Sequence, residues 1–467
     1  MFETLDGAGL IATIAEATRA EASAAALRSA AIGELIARQV GDDDDDARAS
    51  WACDPWDSIA AQIAAAMNIS HRKASGQMRI AVTLSEHLPK VLDLFRQGLL
   101  SGRVIAAVTW RTRLIIDDEV WAKIDAEVAS RATKWGPWTD EKITAAVDAL
   151  VLRFDRAAVI ASQSRIRTRD FTIGHYEDEA GTTSVWGKLA AADAAVLREK
   201  IASMVAGVCD QDPRTTSERR ADALGALANG NEHLNCACGI ASCPANTRNP
   251  PPKSSVVIHV VADQRAVAAA AAGPDAGTAV LSGREALPTP LLAELLRNGA
   301  AVRPLVTPCE QPEHGYRPSA ALARFVRARD LTCRFPGCVM PAEFCDIDHV
   351  IPHPVGPTHP SNLACLCRKH HLLKTFWNGD WKLVLAADGS AVWTSPTGQS
   401  YTTYPGSRLW FPTWDVTSTD LSPPEKAPPP NGDRGLRMPI RKRARAADRA
   451  ARINAERAQN LRDAPPF

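Results

Sequence analysis

The sequence has almost no net charge, no long apolar run and no basic residues at its amino-terminal start. Because the formal net charge is only +1, any affinity for DNA has to come from local basic patches. The first ten residues, MFETLDGAGL, carry acids where an export signal carries lysine or arginine, and charges interrupt the Ala-rich stretches well short of a membrane span. We therefore expect a cytoplasmic protein without a membrane partner. Thiols stay reduced in that compartment, so its clustered cysteines favour metal ligands over disulfides.

The pattern along the chain predicts an α+β protein of four parts. In chain order these are a mainly helical domain (1–243), a linker and mixed connecting region (244–323), a module that carries the chemistry (324–415) and a Pro-rich, basic, disordered tail (416–467). Within the connecting region, we expect a strand in SSVVIHVVAD (254–263) and a short helix at 290–298.

Several local elements of the helical part are predicted from spacing and caps. Residues 8–40 have charges at helical spacing and predict one long helix. Residues 59–78 have a helix-turn-helix cadence with Ser70 as the cap of the second helix, although an ordinary helical hairpin is favoured. Two short strands, 169–176 and 182–188, predict a hairpin around Glu179 to Gly181.

The basic end of the chain has two interpretations. Arg441, Lys442, Arg443 and Arg445 can follow the phosphates of DNA along a conditional helix, which makes DNA the expected partner. Alternatively, this run only keeps a flexible tail in solution.

The segment from residue 329 to 376 contains two pairs of metal-ligand candidates. Cys333 and Cys338 flank a Pro-Gly turn that lets both sulfurs face one point, and Cys367 and His370 are one helical turn apart. Two such pairs predict a closed Cys₃His structural zinc site, which a small segment with little core needs for folding. Cys345 and Cys365 are expected to be buried, and spacing alone allows either to replace a ligand.

Asp348-His349 lies between the two pairs, at the end of an apolar stretch that can form a strand. A loop with Asn362 follows, and residues 363–374 are predicted to form a helix that contains His371. Spacing allows His370 and His371 to exchange roles, because either offset from Cys367 can share its face.

A second cysteine-rich segment, HLNCACGIASC, has two interpretations. His233, Cys236, Cys238 and Cys243 have a spacing that can hold zinc. The alternative is a partly buried cysteine-rich loop without a metal.

The segments CRFPGC, CDIDH, SNLACLC and RKHHLLK resemble the HNH endonuclease family, whose ββα-metal module has two strands and a helix around one metal ion. The resemblance implies that Asp348 and His371 hold a catalytic Mg²⁺ or Mn²⁺, that His349 is the general base, and that Asn362 orients His349 by pinning the loop. It also implies that His370, directly before His371, is the zinc ligand. Relatives usually carry Gly-Gly in the loop, where this chain has Gly356-Pro357.

The resemblance extends upstream. SERRADALGAL, the CACG segment and YRPSAALARFVRARDLTCRFPGC are similar to the actinobacterial thirteen-E-twelve repeat family, which couples a helical domain of unknown function to a terminal HNH module. The expected function is metal-dependent hydrolysis of DNA phosphodiester bonds. The alternatives are a DNA-binding protein or a zinc-scaffold interaction protein with an inactive nuclease module.

Overall fold

The computed structural model of the protein describes residues 2, 4–39, 48–160, 170–174, 182–245, 259–272, 277–281, 285–297, 299–377, 381–419, 421 and 437–462. The chain forms two compact units. One contains residues 1–161 together with 300–467, and the other contains residues 162–299. This division differs from the four predicted parts, because the first helices and the chemistry-bearing segment belong to one unit.

The first unit begins with seven helices: Gly7–Gln39 (α1), Pro55–Met67 (α2), His71–His87 (α3), Pro89–Arg96 (α4), Gly102–Arg111 (α5), Asp118–Arg131 (α6) and Asp140–Phe154 (α7). The long first helix is confirmed. Apolar residues from six of the seven helices form one core, in which Val108, Ile124 and Val147 are fully buried. Burial of these faces, rather than propensity alone, stabilises helices of this length.

The turn between α2 and α3 forms an ordinary helical hairpin. Asn68 ends α2 in the left-handed conformation (φ 51°), and the Ser70 hydroxyl accepts a hydrogen bond from the backbone N–H of Lys73, as the predicted cap requires. In a helix-turn-helix reader, the start of the second helix enters the DNA groove. Here His71 at that position is only 12% exposed, and Ile69 lies against Gly337. The geometry therefore supports the hairpin interpretation.

The second unit contains small antiparallel sheets and short helices: Asp170–Ile173 (β1), Val185–Lys188 (β2), Ala191–Ala206 (α8), Thr216–Ala228 (α9), Val260–Ala262 (β3), Gln264–Ala272 (α10), Ala279–Leu281 (β4), Glu285–Ala286 (β5) and Thr289–Arg297 (α11). The β1–β2 pairing and α11 confirm two predictions. The predicted turn at 179–181 and the first residues of the predicted strand at 254–263 lie outside the described residues.

The first unit continues with α12 (Ala320–Asp330), β6 (Cys345–His349), β7 (Leu363–Cys367), α13 (Arg368–Phe376), β8 (Lys382–Leu385), β9 (Ala391–Thr394), β10 (Ser400–Thr403), α14 (Ser407–Trp410) and α15 (Arg445–Arg462). The prediction of a helix from residue 363 is wrong for its first five residues. The run LACLC is buried at every position and pairs with β6, so its backbone hydrogen bonds are made across a hairpin.

A buried charge network fixes α12 against this hairpin. Asp330 is fully buried, and its carboxylate accepts hydrogen bonds from Arg329, Arg334 and the backbone N–H of Cys365. Arg329 also donates to the carbonyl oxygen of Leu363 at 2.6 Å. Because the buried charges are paired and hydrogen-bonded, the network joins the helix to β7 without an isolated charge.

The prediction of a disordered tail is wrong for residues 437–462. Arg441 and Arg445, predicted to follow DNA phosphates, donate instead to Asp54 and Asp57 near the start of α2, at distances of 2.7 to 3.2 Å. Further along α15, Arg457 pairs with Asp155 at 2.6 Å. Buried carboxylates need cations, and the tail supplies them.

Lys442 and Arg443, the other two residues of the basic run, are exposed. Among the described residues, no helix is both long and apolar enough to cross a membrane.

Replacing Asp57 with alanine is expected to lower the free energy of unfolding by about 3 kcal/mol, the lower end for breaking a buried ion pair, because the arginines stay partly exposed. Urea unfolding of the full chain measures the loss. Asp93→Ala is the control, since Asp93 makes an exposed pair with Arg96 and its loss should change stability by under about 0.5 kcal/mol. Equal stability of the two variants would contradict a structural role for Asp57.

Candidate functional site

The candidate site is built on the β6–β7 hairpin and on α13, which follows β7 without a loop. Side chains alternate between the two faces of a strand, so Asp346 and Asp348 lie on the same face of β6. That face is covered by α13, and both carboxylates contact the imidazole of His371. The hairpin and helix thus bring Asp348 and His371 together, as the resemblance to the HNH family implies.

His371 lies between two carboxylates. Its Nδ1 is 2.8 Å from an oxygen of Asp346, and its Nε2 is 3.3 Å from an oxygen of Asp348. Burial opposes protonation, but the carboxylates of Asp348 and Asp346 raise the pKa of His371 above its usual value. An imidazole whose Nδ1 is held by a carboxylate presents Nε2 in a fixed direction, the usual arrangement around a metal-binding histidine.

Lys374 neutralises the other side of Asp348. Its ammonium group donates to Oδ2 of Asp348 at 2.8 Å and to the backbone carbonyl of His349 at 2.7 Å. Burial favours the neutral carboxyl, but His371 and Lys374 lower the pKa of Asp348. Asp348 is therefore a carboxylate, the form in which it can hold a cation.

His349 is held by a hydroxyl from the loop between β6 and β7. Its Nε2 is 2.8 Å from Oγ1 of Thr358, whose hydroxyl donates to the carbonyl oxygen of Gly315 at 2.6 Å. A hydroxyl has one proton, so Nε2 of His349 must be the donor to Thr358. The lone pair of the neutral ring is then on Nδ1. Burial lowers the pKa of His349 and so favours this neutral form.

Asn362 ties the two ends of the same loop together. Its amide nitrogen donates to the carbonyl oxygens of Ile351 and Pro357, and its amide oxygen accepts from the N–H of Ile351. A Cβ at Gly356 would lie 2.1 Å from the Ile351 carbonyl oxygen and 2.4 Å from Nδ2 of Asn362, so only glycine fits there. Pro357 contributes its carbonyl oxygen to this network, for which no N–H is needed.

An aromatic ring covers His349. Tyr316 is 63% exposed, and its ring stacks on His349 with a centroid distance of 5.3 Å. His353 packs near both rings. His349 itself is only 5% exposed, so a substrate reaches its ring only if this cover moves.

A cluster of three thiols and one imidazole lies at the other end of the hairpin. The sulfurs of Cys333, Cys338 and Cys367 and a ring nitrogen of His370 are all within 4.8 Å of one another. Nδ1 of His370 is 3.4 Å from the Cys333 sulfur and 3.3 Å from the Cys367 sulfur. Phe335 stacks on the imidazole at 3.9 Å and fixes its plane.

This cluster can hold a metal ion such as zinc. Ligands at zinc distances of about 2.0–2.3 Å in a tetrahedron are separated by about 3.3–3.8 Å, close to the measured contacts. Hydrogen bonds with Cys333 and Cys338 hold the pKa of Cys367 well below its usual value, while the pKa values of those two thiols are raised, so without a metal ion the three sulfurs share protons. Four ligands leave no open position, so such a site is structural.

The structure shows which of the candidate ligands belong to the Cys₃His cluster. Cys345 donates to the carbonyl oxygen of Pro341, and Cys365 is fully buried beside Val326. Neither belongs to the ligand group. His370 faces the sulfurs and His371 faces the carboxylates, as the family spacing implies.

Sequence reasoning missed three residues of the site: Asp346, Thr358 and Lys374. The signal for Asp346 is present in the alternation of CDIDH, which puts two carboxylates on one face of a strand. Lys374 lies three residues after His371, within reach of the same face of α13. Thr358 has no local signal, because its role depends on Gly315, 43 residues away.

Comparison with known proteins places the chain in a family. Residues 16–330 match the family "Domain of unknown function (DUF222)", and the chain belongs to it. It is similar to the uncharacterized protein Rv3776 of Mycobacterium tuberculosis strain H37Rv, with 49% identity over 99% of this chain and 92% of the relative. The uncharacterized protein Rv2100 of the same strain is 47% identical over 97% of this chain and 88% of its own length. No solved structure matches the chain.

Cys338→Ser is expected to lower the zinc content of the purified protein by about one equivalent per chain and to destabilise the first unit, because structural zinc contributes folding energy directly. Elemental analysis and urea unfolding measure the two effects. Cys345→Ser is the matched control, since serine can keep the hydrogen bond to Pro341 and Cys345 is not in the ligand group. If Cys338→Ser keeps its full zinc content, Cys338 is not a ligand.

Proposed function

We propose that this chain is a metal-dependent HNH endonuclease of the thirteen-E-twelve type, which hydrolyses phosphodiester bonds in DNA. The single observation that carries the proposal is the grouping on one hairpin and helix of Asp348, His349 and His371, beside a Cys₃His cluster. Neither the carboxylate–imidazole pair nor the sulfur cluster would suffice alone. Their order along a strand, a pinned loop and a helix is the order that an HNH module requires.

Asp348 and His371 are the residues that would hold the catalytic Mg²⁺ or Mn²⁺. Their donor set fits such an ion, because one carboxylate oxygen and one imidazole nitrogen face each other and leave most of a coordination sphere for other ligands. Asp346 keeps Nε2 of His371 directed towards Asp348. When bound, the ion supplies Lewis acidity to the scissile phosphate and stabilises charge on the leaving oxygen.

His349 acts as the general base in this proposal. Its Nε2–H donates a hydrogen bond to Thr358. The lone pair is therefore on Nδ1, which accepts a proton from water. As the proton moves to Nδ1, the water oxygen bonds to phosphorus and the bond to the leaving sugar oxygen breaks. The leaving oxygen then takes a proton from solvent. Asn362 keeps the loop closed around Thr358, and so holds the base indirectly.

The exposed part of the basic run supports DNA as substrate. Lys442 and Arg443 are exposed, whereas their neighbours Arg441 and Arg445 pair with buried carboxylates, and exposed cations of this kind can contact phosphates. Arg441 and Arg445 contribute to DNA binding only indirectly in this proposal. Their ion pairs with Asp57 and Asp54 hold the segment that contains Lys442 and Arg443 in place.

The burial of His349 favours a second candidate, a zinc-scaffold or DNA-binding protein with an inactive nuclease module. In that case the Tyr316 ring remains stacked on His349, and Lys374 remains paired with Asp348. The two candidates differ in one measurement, because only a nuclease nicks supercoiled plasmid when Mg²⁺ or Mn²⁺ is added.

His349→Ala is expected to slow plasmid cleavage by about 10²–10⁴-fold, the usual contribution of a general base. Zinc content, fold and DNA affinity should be unchanged, because the substitution removes a proton acceptor and no metal ligand. The cleavage rate and the DNA affinity are measured on one preparation with saturating Mg²⁺ or Mn²⁺.

His314→Ala is the control for this substitution, since His314 is an exposed histidine two residues from the Tyr316 cover. It should cleave at the wild-type rate. Wild-type protein that does not nick plasmid with either metal would support the scaffold. A His349→Ala variant as fast as the wild type would show that another group is the base.

Thr358→Val is expected to slow cleavage about five- to tenfold, the rate equivalent of a hydrogen bond worth about 1 kcal/mol. Valine keeps the shape of threonine but cannot accept the proton of Nε2. Thr358→Ser should restore both the rate and the Nε2-protonated tautomer of His349, read from the ¹⁵N shifts of its ring. Equal rates in the serine and valine variants would mean that Thr358 is only a packing residue.

A further inference from the structure

A second cluster of thiols lies in the unit of residues 162–299. The sulfurs of Cys209, Cys236, Cys238 and Cys243 are all within 4.8 Å of one another, and those of Cys209 and Cys236 are 3.4 Å apart. By spacing, His233 is one of four candidate ligands, with a metal-free cysteine-rich loop as the alternative, and in the structure His233 is not part of the group. Cys209, shortly after the end of α8, takes that place, so the set consists of four thiols.

The backbone around Cys236 is held by a buried ion pair. The Asp212 carboxylate, whose side chain is fully buried, pairs with Arg214 at 2.7 Å and accepts a hydrogen bond from the N–H of Ala237 at 2.9 Å. Arg214 donates to the carbonyl oxygen of Asn235, also at 2.7 Å. The residues on both sides of Cys236 are therefore anchored, which positions its sulfur before any metal binds.

Apart from these contacts of Asp212 and Arg214, the segment that supplies three of the thiols has little support. Residues 229–245 contain no helix or strand, and Gly239 makes their central turn with φ of +72°. The apolar cluster that includes them is small: it has seven buried members, four of them from this segment, and two of those four, Cys236 and Cys243, belong to the sulfur set. A loop with so little core is the kind of structure that a metal ion stabilises.

The chemistry of the four thiols favours one metal ion over other roles. All four are free thiols, and all four sulfurs lie close enough together to bind a single ion. Tetrahedral zinc with Zn–S distances of about 2.3 Å separates its sulfurs by about 3.8 Å, which fits within the measured limit. Sulfurs this close leave no room for the bridging sulfides of an iron–sulfur cluster.

We propose that Cys209, Cys236, Cys238 and Cys243 bind one structural zinc ion, which fixes residues 229–245 to the end of α8. A set of four thiolates leaves no coordination position for substrate, so this ion has no part in catalysis. The proposal does not depend on the nuclease. It requires a second zinc ion per chain, in addition to the one at the Cys₃His cluster.

Elemental analysis of the full-length protein tests this inference. The wild type is expected to contain about two zinc equivalents per chain, and Cys236→Ser about one. Combining Cys236→Ser with Cys338→Ser should remove both. Cys309→Ser, which changes an exposed cysteine outside both clusters, should keep the wild-type content. Full zinc content in Cys236→Ser, or iron in place of zinc in the wild type, would overturn the proposal.

Alkylation of the wild-type protein gives an answer even if the variants do not fold. Cys309 should react with iodoacetamide at once, whereas the four cluster thiols should react only after a strong chelator removes the metal. Peptide mass spectrometry identifies each alkylated cysteine. Equal reactivity of the four thiols with and without chelator, or a disulfide between Cys209 and Cys236, would contradict a zinc site.

Discussion

One buried carboxylate, that of Asp57, joins α2 to the candidate site and to the carboxy-terminal segment. His71, Lys369, Arg441 and Arg445 all contact it, and these residues come from three segments that are far apart in the sequence. Burial works against its ionisation, but the hydrogen bond from His71 and the charges of Lys369 and Arg445 hold the pKa of Asp57 well below its usual value. Burying this charge is costly, and the cost is offset because α13 and the carboxy-terminal segment both pair with the same carboxylate on α2.

The first turn of α13 connects Asp57 to the rest of the candidate site. Lys369 binds Asp57, His370 faces the sulfur cluster and His371 faces Asp348. Consecutive residues of a helix point about 100° apart, so three neighbours can serve three separate centres only if the helix is held in one rotation. This is why His370 and His371 cannot exchange roles here. Rotation of α13 that brought His371 to the sulfurs would remove Lys369 from Asp57.

The sequence allowed prediction of what depends on spacing. The Cys333/Cys338 pair and the long first helix follow from local spacing, whereas the choice of His370 over His371 as the partner of Cys367 comes from the family resemblance. The helix predicted from residue 363 is wrong for residues 363–367, because this buried run forms a strand.

Three features could not be predicted from local sequence, because each depends on a partner far away in the chain. The carboxy-terminal segment depends on Asp57, Cys209 on Cys236, and Thr358 on Gly315.

The candidate site therefore extends beyond the segment that carries its motifs. The residues that match DUF222 end at residue 330, before the first thiol of the Cys₃His cluster. Yet Gly315, within the matched residues, accepts the hydrogen bond that sets the tautomer of His349, and Tyr316 covers its ring. Asp57, also within them, fixes the helix of His371. A segment of residues 329–376 alone would keep every residue of the motif but would lose the contacts with Asp57, Gly315 and Tyr316.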